Sequence, residues 1–213
     1  RRRFIEGSRS VVAKWLAEPY RTDGWRIDVA NMTGRRGTED LNAEVRTTVR
    51  QTMVDVNPDT LLVAEFTNDG ATDFQGDAWH GAMSYTAFTR GAWNWLGEPL
   101  PVLHRTPDGD LSDGLWFFGL GGGWRSYNAR QFVEQLQRFS AQLPWRIQLG
   151  RMLALDSHDT ARFATHADTA AVTIAVGLSL TLPGIPVVYA GDEFGLTAVD
   201  GEHSRTPMPG HRV

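Results

Sequence analysis

Three acidic residues stand at the ends of short apolar runs, and they are the part of the chain best suited to chemistry. Asp28, Glu65 and Asp159 each follow such a run, and stretches with helical spacing lie between the runs. Alternating strands and helices predict a parallel sheet, whose strand ends gather at one rim. Acids brought together at that rim would suit hydrolysis of a glycosidic bond, because this reaction uses carboxyl groups on either side of one carbon.

The residues beside the first two acids suggest different chemical roles. Side chains alternate along a strand, so Arg26 and Asp28 point to the same side. A guanidinium beside a carboxylate favours its ionised form, which suits a nucleophile, although a structural salt bridge explains the pair equally well. Glu65 ends an apolar strand, and apolar surroundings favour a protonated carboxyl group, which suits a general acid. A helix cap is the alternative for Glu65.

The third acid belongs to a dense polar stretch at residues 157–162. Ser157, His158 and Asp159 are adjacent, and Arg162 follows three positions later. So many polar and ionisable side chains directly after a buried strand favour a functional site. An acyl-transfer triad is disfavoured, because triads assemble from residues that are distant in sequence and no Gly-x-Ser-x-Gly elbow occurs.

The composition narrows the class of protein. The chain has 213 residues, 41% of them hydrophobic, which favours one domain with a substantial core. The net charge of −4 argues against a nucleic-acid partner, and the absence of cysteine excludes disulfides and thiolate chemistry. The first residue is Arg1, so we expect the gene product to begin upstream. A cytoplasmic location is expected, with a secretory signal upstream left open.

One uncharged segment has the length of a membrane span. Residues 169–191 carry no charge, but Pro183 and Pro186 interrupt them. The pattern therefore predicts a buried helix at about 168–182, a turn and a buried strand at 185–189, with no membrane partner.

The rest of the chain reads as interleaved strands and helices. Strands are expected at 24–29, 60–64, near 82–85, and at 152–155 and 185–189. Apolar spacing predicts four helices. The first covers residues 11–16 and the third covers residues 86–96. The second is capped by Thr38 and has an apolar stripe of Leu41, Val45, Val49, Met53 and Val56, and the fourth has Phe132, Leu136, Phe139 and Leu143 on one face. Asn128 with Gln131 indicates a capping box for this last helix. Residues 97–128 read as a long irregular segment.

Signals for metal binding are weak. Residues 108–114 carry acids spaced somewhat like those of a calcium loop, but the glycine is one place late and the closing Glu is absent. The histidines show no metal spacing. We therefore predict no cofactor and no metal site. Calcium is left open, although no ligand set for it occurs in the sequence.

Four segments in sequence order resemble the α-amylase family of glycoside hydrolases. They are Gly24-Trp-Arg-Ile-Asp28-Val-Ala-Asn31, Leu62-Val-Ala-Glu65, Ser157-His158-Asp159 and Gly184-Ile-Pro-Val-Val-Tyr-Ala-Gly-Asp-Glu193. The resemblance implies that Asp28 is the nucleophile, Glu65 the acid/base and Asp159 the residue that stabilises the transition state. It also implies that Arg26, Asn31, His158 and Arg162 bind substrate.

The resemblance also implies a fold and a substrate class. Within the family, Asn31, Ser157 and the Thr160-x-Arg162 pattern are similar to those of neopullulanases, cyclomaltodextrinases and maltogenic amylases. The chain would form strands four to eight of a (β/α)₈ barrel, with strands one to three and any accessory domains missing. The expected substrates are α-linked glucans cleaved at α-1,4 or α-1,6 bonds. A transglycosylase, a non-catalytic barrel that binds a sugar or a partner protein, and a homo-oligomer of the full-length protein are left open.

Overall fold

The computed structural model describes residues 2–98, 103–105, 111–113 and 126–210. The strands are β1 (Gly24–Ile27), β2 (Arg35–Arg36), β3 (Glu39–Asp40), β4 (Leu61–Ala64), β5 (Gly81–Ala82), β6 (Leu103–Arg105), β7 (Leu111–Asp113), β8 (Met152–Ala154) and β9 (Ile185–Val187). The α-helices are α1 (Val11–Leu16), α2 (Asn42–Val56), α3 (Arg90–Leu96), α4 (Ala129–Ser140), α5 (Trp145–Leu149) and α6 (Thr169–Thr181). A π-helical turn covers Tyr85–Thr89, and 3₁₀ turns cover Phe163–Thr165, Asp192–Phe194 and His203–Arg205.

Parallel pairing of the apolar strands confirms the α/β class. β1 pairs with β4 and β4 pairs with β5, both in parallel, and Ile27 lies opposite Ala64. β8 and β9 form a second sheet, and a parallel bridge joins Met83 to Met152. A strand therefore stands at each of the expected places, within a few residues of the predicted bounds. Their assignment as the fourth to eighth strands of a barrel stays a prediction.

The chain divides into two compact units, which are described separately. The first unit contains Arg1–Met83 and Phe139–Met152, and the second contains Ser84–Arg138 and Leu153–Val213. The expectation of a single domain stays a prediction.

The first unit is built on the β1-β4-β5 sheet. Leu62 and Ala64 of β4 are fully buried, and they belong to one apolar cluster with Met53 and Val49 of α2. The predicted apolar stripe of α2 is thus confirmed at its centre, whereas Leu41 is exposed. Packing of this stripe fixes α2 against the sheet whose strands end at Asp28 and Glu65.

One helix prediction in this unit needs correction, and one helix was not predicted. Thr38 does not cap α2, because residues 35–40 pair as the short hairpin β2-β3 and the helix begins only at Asn42. The carboxylate of Asp40 accepts a hydrogen bond from the Asn42 N–H instead. The short helix α5 was missed, since Pro144 begins a new helix there as well as following the end of α4.

The second unit contains the predicted capping box and two wrong burial predictions. One concerns α6, and the other concerns the strand predicted at 185–189, where Ile185 and Val188 are exposed. Asn128 and Gln131 exchange side-chain-to-backbone hydrogen bonds of 3.0 and 2.9 Å at the start of α4. Helix α6 forms as expected, with Asp168 as its N-cap. The expected burial of α6 is wrong, because only Ala175 and Ser179 are buried along it and Leu180 is 62% exposed. The helix packs on α3 and β9 with one side and exposes apolar side chains on another.

The described part of the 97–128 segment contains a hairpin. β6 and β7 pair in antiparallel fashion, with Leu103 opposite Asp113. The 108–114 calcium-like stretch lies mostly outside the described residues. Among the residues that the structure describes, no helix has the length and apolar character needed to cross a bilayer.

Candidate active site

The first two acids occupy equivalent positions at the ends of neighbouring strands. In the β1–β4 register Ile27 lies opposite Ala64, so Asp28 and Glu65 are the next residues of their strands. Paired residues of parallel strands direct their side chains to the same face, and Arg26, two positions before Asp28, shares that face. The register therefore brings Arg26, Asp28 and Glu65 together.

Arg26 joins the two carboxylates through different guanidinium nitrogens. Its Nη1 lies 2.6 Å from Asp28 Oδ1, and its Nη2 lies 3.0 Å from Glu65 Oε1. The Asp28 side chain is 73% exposed, whereas that of Glu65 is 3% exposed. One acid is thus presented to solvent and the other is buried beside it, with a single positive charge between them.

The second oxygen of Glu65 also has a donor. Its Oε2 accepts a 2.6 Å hydrogen bond from the Val29 N–H, while the Ala30 N–H donates to the Glu65 carbonyl at 3.0 Å. Val29 has φ +44°, a left-handed conformation that β-branched residues rarely adopt. Both carboxylate oxygens of Glu65 therefore face donors, although the strand that precedes Glu65 is apolar.

Asn31 lies in the turn that follows Asp28. Its carbonyl accepts a hydrogen bond from Arg35 Nη1. Within the described residues, no hydrogen bond joins the Asn31 side chain to Asp28, Arg26 or Glu65. Its expected contact with substrate stays a prediction.

In the second unit, Asp159 has its own set of partners. His158 Nε2 lies 3.1 Å from Asp159 Oδ2, and the Asp159 N–H donates to Ser157 Oγ at 3.2 Å. Ser157 Oγ in turn lies 3.0 Å from the Tyr85 hydroxyl. The His158 side chain is 45% exposed and that of Asp159 is 17% exposed. The meeting of Asp159 with the other two acids in one pocket stays a prediction.

Arg205 is a partner of Asp159 that sequence reasoning did not assign to the site. Its Nη2 lies 2.9 Å from Asp159 Oδ1, and its Nε donates to the His158 carbonyl at 2.9 Å. No local sequence pattern could have found this contact, because Arg205 follows Asp159 by 46 residues.

Arg162 is placed differently from what was expected. It is 1% exposed, and its guanidinium pairs with Asp192 at 2.6 Å and donates to the Ala190 and Ser204 carbonyls. It also lies 4.3 Å from the centroid of the Tyr189 ring. Because these partners enclose the charge, the geometry favours a structural role that holds the 190–204 segment, and it gives no support to direct substrate binding.

Two buried titratable groups lie near the Asp159 segment in sequence. Burial, followed by the neighbouring Asp192 carboxylate, raises the pKa of Asp156 to about 8. Burial lowers the pKa of His166 to about 4. The His166 ring packs against Trp93 in a tilted arrangement with centroids 5.2 Å apart, and its two nitrogens have no hydrogen-bond partner among the described residues. Both groups therefore favour their uncharged forms near neutral pH.

No metal centre is visible in the part of the chain that the structure describes. There, no group of three or more His, Cys, Asp or Glu side chains is arranged to hold an ion. The prediction of no cofactor stays a prediction.

Comparison with known proteins identifies the family. The model of the alpha amylase catalytic domain matches residues 3–209. The chain belongs to the α-amylase family of glycoside hydrolases. Neopullulanase 2 of Thermoactinomyces vulgaris is 29% identical over 200 residues, which are 93% of this chain and 28% of that protein. The chain thus spans a little over a quarter of the length of this α-amylase-family relative.

Solved structures of family members agree with the fold. The hydrolase of cyclic α-maltosyl-(1→6)-maltose from Arthrobacter globiformis, in complex with that sugar, is 26% identical. It superposes with a TM-score of 0.73, covering 94% of this chain and 38% of its own. The debranching enzyme of Nostoc punctiforme is 28% identical, with a TM-score of 0.71 over 93% of this chain and 37% of its own.

Proposed function

We propose that the protein carrying this chain hydrolyses α-glucosidic bonds of maltodextrins, cyclodextrins or related glucans, with retention of configuration. The observation that supports this most is the guanidinium of Arg26, which spans the carboxylates of Asp28 and Glu65. Retaining enzymes need two carboxyl groups about 5–5.5 Å apart, and two acids that share one guanidinium are compatible with such a spacing. The substrate class rests on the names of the relatives, among them a neopullulanase and a cyclic maltosyl-maltose hydrolase.

In the first step, Asp28 attacks the anomeric carbon and Glu65 protonates the leaving oxygen. The bond from the carbon to the leaving oxygen breaks as the bond to Asp28 forms. Asp28 loses its negative charge in this step, and Glu65 acquires one. Because Arg26 contacts both, its positive charge faces one carboxylate before and after the step, and the change needs no movement of the guanidinium.

In the second step, water attacks the same carbon and transfers a proton to Glu65. The bond to Asp28 breaks, which returns the negative charge to that residue. The Val29 N–H, 2.6 Å from Glu65 Oε2, holds the carboxyl group in one orientation in both its protonated and its ionised form.

Asp159 and His158 are proposed to bind hydroxyl groups of the distorted sugar. Support comes from the contacts that hold Asp159: Arg205 Nη2 and His158 Nε2 lie beside its carboxylate, and Ser157 Oγ accepts a hydrogen bond from its backbone N–H. A pre-oriented acceptor can bond more strongly in the transition state than in the ground state.

Trapping the covalent intermediate tests the assignment in the whole protein. Glu65→Gln with a maltosyl fluoride, whose leaving group needs no proton, is expected to accumulate an adduct on a peptide containing Asp28. Mass spectrometry locates the adduct. Asp28→Asn is the matched variant, and it is expected to form no adduct and to lose turnover by about 10⁴-fold or more while still binding sugar. An adduct on another residue, or full turnover by Asp28→Asn, would contradict the proposal.

A further inference from the structure

We propose that Asn42, the first residue of α2, is a positioning residue that clamps the turn after Asp28 so that the Val29 N–H stays on the Glu65 carboxylate. The kinetic part of this inference rests on the proposed function, and its structural part does not. Asn42 belongs to none of the segments that resemble the family.

The side chain of Asn42 is fully engaged with this turn and with Arg46. It is 2% exposed, and its Nδ2 donates to the Ala30 carbonyl at 2.8 Å and to the Thr33 carbonyl at 2.7 Å. Its Oδ1 accepts from Arg46 Nη1 at 3.1 Å. A primary amide has two N–H groups, so both donors are used on two carbonyls of one turn.

The turn needs an external clamp because its backbone is unfavourable. Val29 has φ +44°, and a β-branched side chain disfavours that conformation. Its N–H meets Glu65 Oε2 at 2.6 Å, and the carbonyl of the next residue, Ala30, is held by Asn42. The strained residue is therefore fixed from both sides, by the acid that it orients and by Asn42.

Arg46 extends the clamp to the segment that follows Glu65. It is 8% exposed and forms ion pairs with Asp73 at 2.7 Å and Asp77 at 3.0 Å. One end of α2 thus links the turn after Asp28 to the loop after Glu65. Movement at Asn42 would disturb the relation of the two acids without removing either.

The kinetic test uses two substitutions at Asn42 in the whole protein. Asn42→Asp keeps the volume and an oxygen for Arg46 but has no amide donor, and Asn42→Ala removes the contacts altogether. We expect both to lower kcat by about 10- to 100-fold and to change KM by less than about threefold, because the loss concerns orientation of the acid/base.

Thr52 supplies the matched control on the same helix. It is 3% exposed, and its Oγ1 donates to the Ile5 carbonyl at 2.7 Å, away from the turn. Thr52→Val and Asn42→Ala are both expected to lower thermal stability, but Thr52→Val should leave kcat unchanged. An equal fall of kcat in Thr52→Val would show a general packing effect and overturn the inference.

A rescue variant tests whether Asn42 acts through Val29. Glycine adopts positive φ at no steric cost, so Val29→Gly added to Asn42→Ala should restore kcat by at least about threefold. If the double variant is no faster than Asn42→Ala, the clamp does not act through the Val29 backbone and the inference fails.

Hydrogen–deuterium exchange of residues 28–33 gives a readout that needs no activity. Exchange there should quicken by at least about tenfold in Asn42→Ala and Asn42→Asp and stay unchanged in Thr52→Val. If the wild-type protein has no glucosidase activity but the variants show these differences in exchange, the proposed function is wrong and the role of Asn42 in holding the turn still stands. Unchanged exchange in both Asn42 variants would overturn the clamp whatever the activity.

Discussion

In two clusters of the molecule an arginine guanidinium contacts an acid, but the contacts arise differently. The Arg26 cluster consists of Arg26, Asp28 and Glu65, and the Arg205 cluster consists of Arg205, His158 and Asp159. Arg26 lies two residues before Asp28 on the same strand, and it contacts Glu65 through the β1–β4 register. Arg205 lies 46 residues after Asp159 and reaches it from a 3₁₀ turn. The contact of Arg26 with Asp28 follows from the alternation of side chains along a strand. The contact of Arg205 with Asp159 depends on how the chain folds within the second unit.

The two clusters also differ in the buried polar groups nearby. In the first unit the buried Arg46 is matched by Asp73 and Asp77. In the second unit Asp156 and His166 are buried with displaced pKa values of about 8 and about 4. We therefore expect removal of charge to affect catalysis most in the first cluster and pH to affect stability most in the second unit.

Loss of Arg26 should have the largest effect. Arg26→Met would leave Asp28 and the buried Glu65 without the charge between them, and kcat/KM is expected to fall by about 10³-fold. Steady-state kinetics on maltotriose would measure it. Arg130→Met, which removes an exposed i,i+4 pair with Glu134, is the control and should change kcat/KM by less than about twofold. A similar fall in both variants would show that the shared guanidinium has no special role.

The second-largest effect should be a loss of folding stability at acidic pH, caused by protonation of His166. The folded-state pKa of about 4 lies below the usual 6.5, so the unfolded chain binds a proton that the folded chain excludes. This group's contribution to stability is present above about pH 6.5 and is lost as pH falls towards 4, by at most about 3 kcal/mol. Denaturant unfolding at several pH values would measure the slope.

The variant His166→Phe tests the source of that slope. Phenylalanine keeps a ring against Trp93 and has no proton to bind, so the free energy of unfolding should vary less between pH 6.5 and 4. An unaltered slope in this variant would assign the acid sensitivity to other groups.

Loss of Arg205 should have the smallest effect. Its side chain is 47% exposed, so Arg205→Met is expected to lower kcat/KM by only about tenfold, by loosening Asp159. Arg205→Lys keeps the charge and should recover part of the loss. If Arg205→Met were as damaging as Arg26→Met, the proposed difference between the two clusters would not hold.

Sequence patterns predicted helices and strands well where the deciding interactions join residues that are close in sequence. Short apolar runs located the two strands that precede Asp28 and Glu65, because strands of a parallel sheet are rich in apolar residues. Their full burial could not be predicted in this way, since β1 is only half-buried and Leu61 of β4 is exposed. The capping box of Asn128 with Gln131 was predicted from spacing alone, since its partners lie within one helical turn. Thr38 failed as a cap because pairing of β2 with β3 delays the helix to Asn42.

Residue types and the two-residue period of a strand were enough to predict the family and the pairing of Arg26 with Asp28, and both are confirmed. The roles of the three acids stay a prediction. The tertiary structure alone decided the burial of Arg162, the pairing of Arg205 with Asp159 and the clamp from Asn42 to the Val29 turn. Each of these depends on where a distant segment passes, and a buried donor or charge takes whichever partner the folded chain brings within hydrogen-bond distance.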